Sequence, residues 1–321
     1  MTPIAVFTYN RPEHARRALT SLSRCARLDE CPVYVYCDGA RAPDHVAPVD
    51  ATRQTVRAWA AEHQATIVER PHNLGLARSI VTGVTDLCQH YGRVIVIEDD
   101  LVVSPDFVDY MLQALDRYAG CPVVYQVSGY MFPVEHPPTP DAFFLPLTTT
   151  WGWATWQRAW QHFDWTARGW EQRLSRPPVR LRFDLDGSYP YFAMLKQRLQ
   201  GRNDSWGVLW WYAVFSAAGL VLHPRRSLVW NGGFDGSGTH CGDRDAVDTA
   251  GTPPETLGDP QLSAEITWPE HVAIDVGAFD RVKGCVRAAD RPAGRSLARV
   301  ARKVRQRLGR TLQRFEQSGQ E

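Results

Sequence analysis

The sequence predicts an α/β fold: a doubly wound, mostly parallel sheet flanked by helices, with a helical C-terminal appendage. Two observations carry this. Short β-branched runs alternate with amphipathic stripes of helical period over the first 107 residues. The run Val94-Ile95-Val96-Ile97 also reads as a strand buried on both faces. In such sheets a ligand lies beyond the carboxyl ends of the strands. Here those ends are polar.

In order, residues 4–9 form the first strand, and Pro12 stands near the first position of the helix that follows. Val33–Cys37 form a second strand ending on Asp38-Gly39. A helix runs from about 49 to 63, a third strand covers 65–68, and a helix opened by residues 70–79 runs to about Tyr91. The Val94 strand is the fourth. A helix over 107–119 and a strand over 123–130 come next. Residues 133–140, with four prolines, read as a surface loop, and 166–200 as a peripheral helical insertion. A helix opening at Asp204 and a strand beginning at Leu220 complete a catalytic unit over 1–245, divided into a nucleotide and metal half (1–120) and an acceptor half (121–245). A wrapping tail (246–295) and a basic amphipathic helix (296–321) follow.

Composition narrows the function. The chain has 321 residues, of which 44% are hydrophobic, and can bury a full core; its net charge of +1 provides no global field for nucleic acid. No apolar run reaches the ~18 residues of a membrane span. The N-terminus enters a strand directly, without the basic region of a signal peptide. Seven cysteines without a CxxC pair read as reduced thiols of a cytoplasmic protein. Neither GxGxxG after the first strand nor GxxxxGK[ST] is present, which disfavours a dinucleotide oxidoreductase and a P-loop NTPase.

The fourth strand runs into Glu98-Asp99-Asp100. Three adjacent carboxylates at the end of a buried strand repel one another and are costly to desolvate. A hard divalent cation, Mn²⁺ or Mg²⁺, bridging a carboxylate to phosphate oxygens resolves this. A solvated acidic turn, with Ser104-Pro105 starting the next helix, is the competing reading. Arg11, Asp38, Asn73 and Asp100 each follow a strand or open a helix, so the topology brings them to one crevice.

Thr8-Tyr9-Asn10-Arg11-Pro12, Cys37-Asp38-Gly39, Asn73-Leu74-Gly75-Leu76-Ala77-Arg78 and Ile97-Glu98-Asp99-Asp100, the last running into Ser104-Pro105-Asp106-Phe107, occur in the order seen in GT-A nucleotide-sugar glycosyltransferases. The chain resembles their N-acetylglucosaminyltransferase I type and is similar to family 2 glycosyltransferases over roughly residues 3–245. The resemblance implies a GT-A-like fold and a set of roles. Asp38 would accept from the imide of a uracil. Arg11 would lie near the base or diphosphate, with Asn73 beside it, and Arg78 would face the diphosphate. Glu98 and Asp99 would hold the ribose and order the loop, and Asp100 would ligate the metal.

Most of the tryptophans fall between 151 and 211. By the resemblance, Trp151 and Trp153 line the acceptor side, where an aromatic face suits the C–H face of a sugar, and Trp206 belongs to the same cleft. Packing beneath the sheet is the alternative, and it is the expectation for Trp156 and Trp160. Asp204, at the start of an aromatic helix, reads either as its N-cap or as a partly desolvated general base; the resemblance makes it the base. The glycine-rich stretch from Asn231 to His240 would close over the donor, with His240 touching it.

Arg299, Arg302, Lys303, Arg305, Arg307, Arg310 and Arg314 surround an apolar stripe in the last segment, the pattern of a helix lying on an anionic membrane surface or docked on protein. The sum is an inverting, metal-dependent transferase acting on a UDP-sugar such as UDP-GlcNAc and a glycan or lipid-linked glycan acceptor. It would serve bacterial surface polysaccharide or glycoconjugate synthesis at the inner face of the membrane. A sugar-nucleotide nucleotidyltransferase and a non-catalytic nucleotide- or glycan-binding protein are the other classes. The first lacks its Gly-rich basic loop here, and the second would tolerate loss of Asp100 or Asp204.

Overall fold

A computed structural model describes residues 1–134, 140–233, 257, 259, 261–263 and 265–290. The centre of the proline loop, the stretch from 234 with His240, and residues 296–315 lie outside them.

The first strands and helices alternate: β1 (Ile4–Thr8), α1 (Pro12–Leu22), β2 (Val33–Cys37), α2 (Val46–His63), β3 (Thr66–Glu69), α3 (Leu76–Tyr91) and β4 (Arg93–Glu98). A short β5 (Leu101–Val103), not expected from the sequence, precedes α4 (Phe107–Arg117) and β6 (Val124–Ser128). After β7 (Ala142–Leu145) and β8 (Trp153–Trp156) come α5 (Gln157–Trp160), α6 (Trp170–Arg173), α7 (Pro177–Phe183) and α8 (Tyr191–Leu199). The chain continues through α9 (Gly207–Ser216), β9 (Leu220–Pro224), β10 (Val229–Asn231) and α10 (Val276–Asp290).

Among the described residues, eight strands form one sheet in the order β3-β2-β1-β4-β8-β6-β9-β7. β3, β2, β1 and β4 are parallel neighbours; β8 runs against both β4 and β6, and β7 against β9. The sheet is therefore α/β and mostly parallel, as expected. The strand expected to start at Leu220 ends at Pro224, and its continuation, β10, leaves the sheet to pair antiparallel with β5.

Helices cover both faces because the strands are apolar on both. Val94, Ile95, Val96 and Ile97 are buried throughout, each worth about 1.5–3 kcal/mol of burial. On one side Leu19, Leu22, Val56, Phe107 and Leu115 pack on the sheet; on the other, Ile80, Val84, Leu87, Trp160 and Trp210 do. A third cluster joins α7, α8 and α9 to Ala278, Val282 and Val286 of α10. The amphipathic period of α10 thus buries one face against the domain.

The tail between β10 and α10 is fastened by two carboxylates. Asp106 accepts from the N–H groups of Gln261 and Leu262 at 2.9 and 2.8 Å. Asp141, fully buried, accepts from Thr267 N–H (2.9 Å), Thr267 Oγ1 (2.8 Å) and Ser263 Oγ (3.2 Å), and pairs with Arg225 at 3.1 Å. Trp268 stacks on Tyr110 with ring centres 5.9 Å apart. Burial opposes the charge of Asp141, but the Thr267 and Ser263 donors and Arg225 outweigh it and hold its pKa below the usual carboxylate range. A carboxylate lowered in the folded state stabilises fully above its unfolded pKa of about 3.9, and this is lost as pH falls through the lower folded value. Asp141→Asn is therefore expected to cost about 2 kcal/mol at pH 7, measured by urea unfolding, with the gap to wild type narrowing below about pH 4.

Candidate active site

The crevice lies at the carboxyl ends of β1, β2 and β4. Loop residues there are held by carboxylates, and Asp38 is the clearest case. Its Oδ1 accepts from Gly39 N–H (2.9 Å) and Leu74 N–H (2.8 Å), and its Oδ2 from Gly75 N–H (2.9 Å) and Asn73 Nδ2 (3.1 Å). Two carboxylate oxygens offer about four lone-pair sites. All four are used by the chain itself, so Asp38 is not arranged to accept from a uracil. Asn73 also donates to Gly39 O at 2.8 Å, which makes both residues organisers of the loop before α3. Gly39 is required there: a Cβ would lie 2.5 Å from the carbonyl carbon of His72. Arg78, in the first turn of α3, is exposed and carries no ion pair among the described residues.

Arg11 sits just before α1 and turns toward the acidic run. Its Nη2 donates to Asp99 Oδ1 and, at 3.1 Å, to Asp100 Oδ2. Tyr9 N–H donates to Asp99 Oδ2 at 3.2 Å. The cation that relieves the carboxylates in this structure is thus a guanidinium. Burial works against its charge, but Asp99 and Asp100 outweigh it and raise its pKa. Glu98, at the end of β4, has its pKa pushed well up by burial, reinforced by Asp100 and Asp99. Burial also raises the pKa of Asp99, with Arg11 opposing.

Of the three, Asp99 is buried, and Glu98 and Asp100 are half-buried. The β5–β10 ribbon packs over Asp100: Gly232 N–H donates to Asp100 O at 2.8 Å, and a Cβ on Gly233 would lie 2.5 Å from Asp100 Oδ2. The Asn231-Gly232-Gly233 segment is therefore the seat of this carboxylate. No group of three or more metal-ligating side chains occurs among the described residues. The chain offers one partly exposed carboxylate in a glycine cradle, which fits a Mg²⁺- or Mn²⁺-type ion whose other ligands are phosphate and water.

The acceptor side is partly as expected. The start of β8 lies at the carboxyl end of β4, since Trp153 pairs with Val96. Trp151, just outside the strand, is half-buried and meets the Tyr130 ring edge-on at 4.4 Å. His223, its pKa lowered to about 4 by burial, is neutral at pH 7, with Nε2 2.9 Å from the Leu147 carbonyl and Nδ1 3.2 Å from the Tyr130 carbonyl, so its one ring N–H donates to one of the two. Trp153 and Trp206 are corrections. Both are buried in a packed tryptophan cluster, 5.4 Å apart, with Trp160 and Trp210. Their side chains are core and present no face to a sugar. Trp156 and Trp160 are core, as expected.

Asp204 is exposed, and α9 begins three residues later. Neither the N-cap nor the desolvated carboxylate expected of it is observed. Asn203 Oδ1 instead accepts from Ser205 N–H at 3.1 Å. The start of α9 touches Thr150, where a Gly207 Cβ would lie 3.2 Å from its methyl group. The start of α9 thus lies beside the Thr150-Trp151 segment.

Tyr9 and His45 were not singled out from the sequence. Tyr9 Oη lies 2.5 Å from His45 Nδ1 and accepts from Arg41 N–H at 3.1 Å, tying the loop after β1 to the loop after β2. Only the strand-end position of Tyr9 could have signalled it.

The family model for glycosyl transferase family 2 matches residues 4–169, just over half of the chain. The chain belongs to glycosyl transferase family 2. This glycosyltransferase has no match among curated proteins. Among solved structures it is similar to Staphylococcus aureus TarS (14% identity, 40% of this chain and 21% of that one, TM-score 0.31). It is also similar to mouse xyloside xylosyltransferase 1 (12%, 68% and 82%, 0.35) and to a cytidylyltransferase from Leptospira borgpetersenii (10%, 56% and 70%, 0.33). The chain spans about a fifth of the TarS chain and about half of its 1–349 fragment. These likenesses are too remote to bear on substrate.

Proposed function

We propose that this glycosyltransferase moves a sugar from a UDP-sugar such as UDP-GlcNAc to a hydroxyl of a glycan or lipid-linked glycan, with inversion and with Mn²⁺ or Mg²⁺. The observation that carries the reading is the Asp99–Asp100 pair at the end of β4, faced by Arg11 and seated by Gly233. Bound at Asp100, the ion would supply positive charge to the departing diphosphate. The chain's own residues do the rest. Asp99 and Tyr9 hold the loop after β1 in place, Arg78 presents a cation from α3, and Glu98 would hold the ribose. Asp38 and Asn73 set the loop that positions Arg78. Trp151 offers an aromatic surface to the acceptor. Asp204 takes the proton of the acceptor hydroxyl, and a bound acceptor covering this exposed carboxylate would supply the desolvation that makes it basic. His240 would touch the donor.

The basic residues between 299 and 314 support peripheral contact with an anionic membrane surface, consistent with a lipid-linked acceptor at an inner membrane face. No helix among the described residues is long and apolar enough to cross a membrane.

The test is release of nucleoside diphosphate from UDP-, GDP- and dTDP-sugars, with Mn²⁺ and with a chelator. Metal-dependent hydrolysis of a UDP-sugar is the expected result. Metal-independent turnover, or turnover of another nucleotide class, would contradict it.

A further inference from the structure

Arg11 meets the acidic pair through one nitrogen. Nη2 serves both Asp99 and Asp100, while Nη1 is buried with no hydrogen-bond partner. The two carboxylates are held unequally. Asp99 is 6% exposed and has the Tyr9 N–H as a second donor; Asp100 is 17% exposed and meets Arg11 at 3.1 Å. The guanidinium is anchored at Asp99 and shared outward.

Resting on the reading of Asp100 as the metal carboxylate, we infer that Arg11 is a resident counter-cation that competes with the divalent ion for Asp100. Before the ion binds, Arg11 is shared by both carboxylates and offsets one of their two charges. An ion on Asp100 must displace Nη2 from Oδ2 and then sits beside a guanidinium that Asp99 keeps in place. Two like charges at such range repel, so the bare ion binds poorly. An ion arriving with a diphosphate brings negative charge and acceptor oxygens. These receive the displaced Nη2 and give the buried Nη1 the partner it lacks. Arg11 thereby makes metal binding depend on the nucleotide. The ligand it selects is a divalent cation in complex with a nucleoside diphosphate, over the free cation.

The experiment is Mn²⁺ binding to the full chain, followed by the electron paramagnetic resonance signal of free Mn²⁺, with and without UDP. The chains compared are wild type, Arg11→Gln, Asp100→Ala and the double variant. Arg11→Gln is expected to bind Mn²⁺ alone at least tenfold more tightly than wild type, and the factor by which UDP tightens Mn²⁺ is expected to shrink. The gain should vanish in the double variant. A damaged fold would weaken binding and not strengthen it; Arg11→Met, apolar and of similar length, repeats the measurement if the glutamine variant melts early. If Arg11→Gln binds Mn²⁺ no more tightly than wild type while Asp100→Ala abolishes binding, the inference about Arg11 is wrong and the metal site stands. If Asp100→Ala changes nothing in either background, the metal reading itself fails, and the inference with it.

Discussion

Asp204→Asn is expected to lower sugar transfer by about 10²–10⁴-fold, the usual contribution of a general base, with UDP-sugar binding unchanged. The substitution keeps size and polarity and removes the basic oxygen. Asp204 is exposed in a loop before α9, and thermal unfolding of the variant separates any change in stability from the change in turnover. The informative comparison is kcat for transfer against donor affinity in the same preparation. Loss of kcat alone assigns the base. Normal turnover by the variant would remove Asp204 from the mechanism, and a parallel loss of donor affinity would make it a donor contact.

Asp38→Ala is expected to destabilise the domain by about 3 kcal/mol or more. Three backbone N–H groups and the Asn73 amide lose a shared acceptor at once, and each donor left unsatisfied costs about 1–3 kcal/mol, less where water enters. Asp38→Asn should retain about half of the loss, since its oxygen can still accept from Gly39 and Leu74 while its NH₂ faces the Gly75 and Asn73 donors. Urea unfolding at constant m measures both. A variant with unchanged stability but lost UDP affinity would return Asp38 to the base-binding role implied by the resemblance.

These two residues show what could be read in advance. The sheet was legible because period and burial are local properties: four β-branched residues before a carboxylate run make a central strand almost unavoidable. The convergence on one crevice was legible because topology alone dictates it. What each carboxylate does was not. Whether Asp38 faces a ligand or its own backbone depends on the path of residues 72–75, 34 or more positions away in sequence. The tryptophans show the same limit. Trp151 and Trp153 are two residues apart, yet one lies outside the strand and half-buried while the other is in the core; the start of β8 at Trp153, after Gly152 at a φ of 58°, decides this, and composition does not. The β5–β10 ribbon was missed because each strand is three residues long, too short to leave a period. Gly233 could be noticed as a glycine, but its reason, the Asp100 carboxylate 2.5 Å from where a Cβ would be, exists only in three dimensions.

The central claim is that Asp100 joins a divalent ion to the donor diphosphate at the end of β4. Its most direct test is calorimetric titration of UDP into wild type and Asp100→Ala, each with Mn²⁺ and with a chelator. Wild type should bind UDP at least 100-fold more tightly with Mn²⁺, and the variant should bind it equally and weakly under both conditions, with Gly233→Ala following the variant. Equal affinity of wild type with Mn²⁺ and with chelator, or full metal dependence retained by Asp100→Ala, would contradict the account.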